Sequence, residues 1–578
     1  MKKAFLLLLT LVLTIALSSI VTAKVVLLDP EYSEKEQGVY GGTLISTLVG
    51  DPKTFNPLIA KETSSSDIID NHVFEGLTSA DGVTTGIIPE LAASWDISTD
   101  GMVWTFHLRR GVQWSDGVEF TADDVVFTFN VIYDESIPTS SRDVLTVDGE
   151  PLKVEKLNKY TVRVTLPKPF APLLRNLPVI IPKHKLYQPW QNGTFNQTWG
   201  IDTEPSEIVG TGPYTIAEYR PGQRIVMLRN SKHWKRSPDD KPIPYITRWV
   251  REITESLETQ TLKFENKDTQ FTSLQAIDYQ RMKAGEKAGN YTVTDGGPSF
   301  GTNFIVFNQN PANPRLAEEP WRYEWYTNLH FRRAVAHAVD KETISKQIYA
   351  GMATPQWSPV STPNKVFLNE NVKKYPYDLE KARAELKAGG FSWNQAGQLI
   401  DKNGQEVKFD FVTNAGNTER EAMLTIISGD LEKLGMKVNA QPIDFNKLVS
   451  QLTSEFNWDS ILIGLTGGVE PNGGANVWRS TGQLHMWNPV QEEPATDWEA
   501  RIDELFTLGA TTIPADQRKV YYDEWQEIVA EQLPFIYTVA RNSLWAVRNT
   551  LHNTEVTAYG SEVGGSVTWN VYELYLSK

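Results

Sequence analysis

The chain has 578 residues, with 56 Lys and Arg against 71 Asp and Glu, a formal charge of −15, and no cysteine. The acid excess argues against recognition of a phosphate backbone, which needs concentrated Lys and Arg; the one basic fragment, Lys232-His233-Trp234-Lys235-Arg236, reads as a solvated loop. Lack of cysteine excludes disulfides, thiolate chemistry and a lipid-modified cysteine.

Met1-Lys2-Lys3, an apolar run from Ala4 to Val21 and the ending Val21-Thr22-Ala23 form a secretory signal peptide over residues 1–23, with Lys24 as the mature N-terminus. The run is short for a membrane span and lacks a stop-transfer flank. Without a lipid tether, a periplasm is the expected compartment. About 555 residues remain after cleavage, more than one ordinary core and enough for two or more domains.

From Leu91 to Phe129 the sequence reads as a β-meander closed by a helix start. Trp104 to Leu108 alternates large apolar and polar residues as a half-buried strand does. Asp100-Gly101 and Asp116-Gly117 are turns, and Thr121 with Asp123 and Asp124 caps a helix that continues through Val125–Phe129. Tyr160–Leu166 and Gly222–Leu228 are further short strands. Pro311, Pro314 and Pro320 mark irregular chain between Asn308 and Trp325. Helices follow at Tyr377–Ala388 and Glu419–Leu434, capped by Asp378 and by Asn417 or Thr418. Val407–Val412, that second helix and the strand ending at Val438 make a βαβ unit with parallel pairing.

Several of these segments carry a resemblance. The Leu91–Phe129 meander, Gly210-Thr211-Gly212-Pro213-Tyr214 followed by Gly222-Gln223-Arg224 and Asn230 to Trp234, Asn303–Asn308 leading to Phe331–Asp340, then Asp378, Ala382, Leu386, Gly390 and Leu431–Val438 occur in order across most of the chain. In that order they resemble the bacterial extracellular solute-binding proteins of the oligopeptide and dipeptide class, family 5, which serve ABC importers. The resemblance implies an α/β, two-lobed periplasmic-binding-protein fold of the type II, large peptide-binding subclass, with an extra subdomain on lobe 1. It places lobe 1 at 24–301 plus 538–578, the subdomain at about 75–186, and lobe 2 at 302–537. Two chain crossings would make a hinge that closes on ligand. The implied partners are a small-molecule ligand and an inner-membrane ABC permease, with the protein a monomer.

Enzyme signatures are missing: there is no G-x-S-x-G elbow, H-E-x-x-H pair or Walker loop. His330 and His337 share a helix face without a third ligand, so no metal is expected. Asp96-x-Ser98-x-Asp100-Gly101 imitates the start of a calcium loop, but His107 stands where a bidentate Glu is needed, and the segment is a turn. No cofactor is called for.

The informative departure lies at Ser460–Trp487. The family resemblance implies a Gly-Trp pair here and, shortly after, an Asp that pairs with a peptide's α-amino group. Gly464 is instead followed by Leu465, and Gly467 or Gly468 takes the Asp position. A buried ammonium without a carboxylate partner is costly, which weakens a peptide ligand. Trp95, Trp104 and Trp114 belong to the core. Trp357, Trp478, Trp487 and Trp545 sit in polar loops or near the return crossing, where an indole can stack on a sugar, and Asn472, Asn476 and His485 offer neutral hydrogen bonds. The expected binding set is therefore Trp357, Gly467, Gly468, Asn472, Asn476, Trp478, His485, Trp487 and Trp545, and the leading reading is capture of a short oligosaccharide. An oligopeptide ligand held through backbone hydrogen bonds stays open. So does a secreted carbohydrate-active enzyme, for which no opposed carboxylate pair is nominated.

Overall fold

A computed structural model describes residues 26–557 and 567–577. The signal segment 1–23 and its cleavage site lie outside the described residues.

Two α/β lobes organise the chain. In the first, Tyr214–Arg220, Arg224–Arg229, Arg248–Thr254 and Thr43–Val49 form a sheet in that order, the last pair parallel. Thr43–Val49 buries every second residue, with Leu44 and Leu48 facing the core. The extra subdomain is a four-stranded antiparallel sheet, Ala92–Ile97, Val103–Leu108, Thr161–Thr165 and Lys153–Asn158. Its helix Ala122–Ile132 begins with the expected device: Thr121 accepts from the backbone of Asp123, and Asp124 accepts from the backbone of Thr121. Apolar residues of this subdomain and of the first sheet pack into one core that also takes in Trp114 and Trp249.

The second lobe is built on Lys437–Ile443, Lys408–Asn414, Ser460–Leu465, Thr302–Phe307 and Phe535–Tyr537. The βαβ reading holds: the first two strands pair in parallel around helix Thr418–Lys433. Thr302–Phe307 lies second from the edge and is buried on both faces. Ile305 and Phe307 enter one core, Phe304 and Val306 the other. A third sheet, Phe271–Ser273, Val539–Arg548 and Tyr291–Pro298, sits where the chain passes between lobes. There the segments are tied together: Ser299 N–H donates to Arg541 O at 2.9 Å, and Thr538 N–H to Asn303 O at 2.9 Å.

Two local expectations change. Pro320 does not end regular structure but precedes helix Trp321–Thr327, a place where its missing N–H costs nothing. The basic fragment is not a solvated loop: His233 and Lys235 are buried, the first on Glu75 at 3.1 Å and the second on Glu90 at 3.1 Å. Paired carboxylates are what let those side chains leave water.

Candidate ligand-binding cleft

Between the lobes lies a cavity of about 570 Å³, within the range typical of small-molecule sites. Its floor is the inter-lobe segment Ser299–Asn303, with strand Thr43–Val49 on one side and the end of Ser460–Leu465 on the other.

Charge at this cavity is arranged unevenly. Asp67 is bound by Arg251, and Glu419 pairs with Arg541 at 3.3 Å. Burial pushes Glu419 upward, opposed by Arg541. Glu62 accepts from Ser65 and from the backbone of Lys61. Arg420 is different. Its Nε donates to Asn303 Oδ1 and its Nη1 to Asn414 Oδ1, each at 2.9 Å, and it forms no ion pair among the described residues. Burial pulls it down to about 10, so it still carries its charge at neutral pH; its hydrogen bonds go to amide oxygens, with Tyr349, Arg541 and Glu419 as ionisable neighbours.

Local sequence explains how Arg420 comes to be there. Asn417 caps the helix by accepting from Arg420 N at 3.1 Å, which fixes the first turn. The guanidinium then reaches across strand Ser460–Leu465 at Gly464, where a Cβ would lie 2.5 Å from Arg420 Nη2. That Cβ would also lie 2.3 Å from Thr302 O, so close backbone approach as well as the arginine requires glycine at 464.

The expected site residues divide. Gly467 and Trp545 line the cavity. Gly467 has φ +68, and a Cβ there would lie 2.0 Å from Phe300 O. At Gly467, one of the two positions expected in place of the amine-binding Asp, the backbone admits no side chain. Trp545 packs on Phe271 and donates to Ser543 Oγ at 3.0 Å.

The other expectations are corrected by burial. Trp478 and Trp487 are 4% and 1% exposed, packed with Trp525 and Phe535 in the second-lobe core. Trp487 Nε1 donates to Glu499 at 2.9 Å, and His485 bonds the same carboxylate at 3.2 Å. Asn472 is buried and donates to Val144 O. Asn476 gives its backbone carbonyl to Leu484 N–H, and Gly468 gives its own to Asn364; neither lines the cavity. Trp357 packs outside it, under the Lys341 ammonium at 4.5 Å. A loop rich in Gly and Asn looked like a binding surface but holds large aromatics that anchor it to the core.

Sequence reading missed Arg420, Glu419, Arg541, Arg251 and Lys61. One signal was present: a cation in the first turn of a helix opposes the macrodipole, so Arg420, three residues after the Asn417 cap, called for a reason outside the helix. His330 pairs with Glu385 and His337 with the Pro376 carbonyl. Among the described residues no group of three metal-ligating side chains occurs, and no helix is long and apolar enough to cross a membrane.

Comparison with known proteins agrees with this architecture. A family model for the bacterial extracellular solute-binding proteins, family 5 middle region, matches residues 86–485. A probable ABC transporter-binding protein of Deinococcus radiodurans is 26% identical over 87% of this chain and 87% of its own. Oligopeptide-binding protein AppA of Bacillus subtilis is 25% identical over 88% of each. The AppA structure with a nonapeptide superposes with a TM-score of 0.80 at 23% identity, over 94% of this chain and 100% of that one. MelB of Agrobacterium fabrum, in complex with stachyose, gives 0.81 at 20% identity, over 94% and 85%. With two α/β lobes around a cleft and a family match across most of its length, this chain belongs to the bacterial extracellular solute-binding proteins of family 5.

Proposed function

We propose that this protein is a periplasmic, monomeric receptor that captures a short, carboxylate-bearing peptide in the inter-lobe cleft and delivers it to an ABC permease. Its role as the substrate-binding component of an importer follows from the family. The observation that supports the ligand class is Arg420, a guanidinium at the cavity with amide partners only. A planar fork of donors fits a carboxylate in bidentate geometry, and the ligand's C-terminus supplies one. Relatives named as di/tripeptide-binding and oligopeptide-binding proteins support the same class.

Gly467 and Gly468 offer no carboxylate for the amine that the family pattern implies, and at Gly467 a Cβ would meet Phe300 O. Glu62, which lines the cavity and is bonded only by neutral groups, is the acceptor best placed to take that part. Oligosaccharide capture keeps Trp545 as a stacking surface and has a sugar-bound structural neighbour, but it loses the buried Trp478 and Trp487.

We assign lobe 1 to 24–301 and 538–578, the subdomain to about 75–186, and lobe 2 to 302–537, with hinge segments around Ser299–Asn303 and Tyr537–Arg541. A melting screen tests the ligand. Native-state binding at one hundred times the dissociation constant adds about 2.7 kcal/mol. Di- to pentapeptides with free C-termini should raise the melting temperature, and their C-terminal amides should not. Shifts with oligosaccharides alongside silence from every peptide would reverse the assignment.

A further inference from the structure

Beneath the loop 481–491 lies a second cavity of about 190 Å³. It shares Lys61, Leu452, Thr453, Leu484 and Met486 with the large one. The two are neighbouring chambers behind a common wall, and the smaller one is an annex of the cleft.

Its construction points to a particular kind of occupant. One part of the wall is apolar, formed by Leu452, Phe456, Leu484, Met486, Pro489 and Val490, and the rest is polar, formed by Lys61, Thr453, Thr481, Gln483, His485 and Gln491. At the shared wall stands the Lys61 ammonium, which donates to Gln483 Oε1 at 3.4 Å and forms no ion pair among the described residues. Partial burial pulls Lys61 below the ordinary lysine range, opposed by Asp143 and Glu62. Asp143, whose Oδ2 accepts from Gln483 N–H at 2.8 Å, and Glu62 supply the nearest negative charge.

The backbone around the annex is also unusual. A π-helical turn, Gln451–Glu455, ends at Phe456 with φ +55. Across the cavity Val490 has φ +62 and is 77% exposed. A β-branched residue in that region is an outlier, and π-turns and left-handed outliers cluster at ligand sites. A cavity of about 150 Å³ lined by Leu, Ile and Phe takes up benzene, so this one has space for a side chain of leucine or phenylalanine size.

We propose that the annex is a side-chain subsite of the cleft. It receives one apolar side chain of the ligand, of up to leucine or phenylalanine size, while Lys61 at its mouth holds the carbonyl or carboxylate oxygen next to that side chain. The proposal rests on the large cavity being the ligand site. It adds a preference that Arg420 alone does not create, since Arg420 reads a carboxylate and is indifferent to side chains.

The test uses tripeptides in which alanine is replaced at each position in turn by aminobutyrate and then norvaline. Affinities are measured calorimetrically on the mature protein. Burial of a methylene is worth about fourfold in affinity, so one position should gain roughly fifteenfold from alanine to norvaline and the other two little. Leu484→Trp, at the shared wall, and Thr481→Trp, at the outer rim, should collapse that ratio toward one; the second keeps the test alive if the first does not fold. Lys61→Gln should lower affinity for the whole series and leave the ratio in place. No responsive position, or a ratio unchanged in a folded Trp variant, overturns the subsite.

If no tripeptide binds, the peptide reading fails while the annex is still examined with sodium hexanoate. Shifts of the Met486 methyl resonance in wild type that vanish in Leu484→Trp support the subsite. Silence at millimolar hexanoate overturns it.

Discussion

At the residue scale, Arg420 and Lys341 form no ion pair among the described residues, for different reasons. Arg420 faces the cleft, where the proposed ligand would meet it. Lys341 is fully enclosed, with its Nζ bonded to the Tyr537 carbonyl and 4.5 Å from the centre of the Trp357 ring. Burial lowers it to about 7, far beneath the roughly 10.4 of an unfolded chain. Between those values the unfolded state holds more protons, so this group makes stability rise with pH through that window, by up to about 1.4 kcal/mol per unit; below about 7 its full penalty is present. Lys341→Met should therefore stabilise the protein at pH 6 and flatten the slope between pH 7 and 10. Denaturant titrations across pH read this directly, and an unchanged slope would contradict the assignment. Gly467→Asp makes the opposite kind of statement. With φ +68 and Phe300 O at 2.0 Å from any Cβ, restoring the acid should cost several kcal/mol, roughly 1–3 of it from backbone strain, rather than create an amine site. A folded variant of wild-type melting temperature would refute the steric argument.

Elements were the most legible level. Helix Leu379–Ala388 starts at the expected Asp378 cap, and helix Thr418–Lys433 at Asn417, because capping is local chemistry between a side chain and the next two or three N–H groups. Strand Val103–Leu108 follows its alternation for the same reason. Exposure was not legible. Trp478, Asn472 and His485 sit among glycines in a stretch that reads as a loop, yet each is held by partners distant in sequence: Trp525, Val144 and Glu499. Local contacts add to these, His485 to Val477 O and Trp478 to Trp487, but the burial comes from partners 14 or more residues away. The family resemblance carried the two-lobed fold, whereas the cleft charges were missed because Arg420, Asn303 and Asn414 meet only after the mixed sheet of the second lobe forms. A consequence follows for Asn417. Its cap fixes the turn that aims Arg420, so Asn417→Ala should cost about 1 kcal/mol of stability and weaken ligand binding as well, measured by melting and calorimetry on one sample. A stability loss without any affinity loss would separate the cap from the site.

At the scale of the whole molecule, polar contacts bridge the lobes beside apolar ones, in which Ala510 joins the first-lobe core and Val144 packs against the second-lobe core. Lys53 Nζ donates to Ser450 Oγ at 2.9 Å, Asn446 Nδ2 to Asp51 O at 3.2 Å, and Gln483 N–H to Asp143 Oδ2 at 2.8 Å. Each is worth about 1 kcal/mol net, weak enough for a ligand to decide between open and closed arrangements. The crossing segments, by contrast, are hydrogen-bonded to each other at Ser299–Arg541 and Asn303–Thr538, which suits a hinge that bends without separating. X-ray scattering should show a smaller radius of gyration on saturation with a bound peptide; an unchanged radius would count against closure.

The central claim is that Arg420 receives the carboxylate of the ligand, and a double-mutant cycle tests it most directly. Calorimetry on wild type and Arg420→Gln, each with one tripeptide as free acid and as C-terminal amide, isolates the pair from everything else the two changes do. Breaking a buried charge pair costs about 2–5 kcal/mol. Wild type should therefore lose at least about thirtyfold in affinity on amidation, while Arg420→Gln should bind both forms equally weakly. An amide that binds wild type as tightly as the acid, or a variant that still prefers the acid by the same factor, would contradict the account.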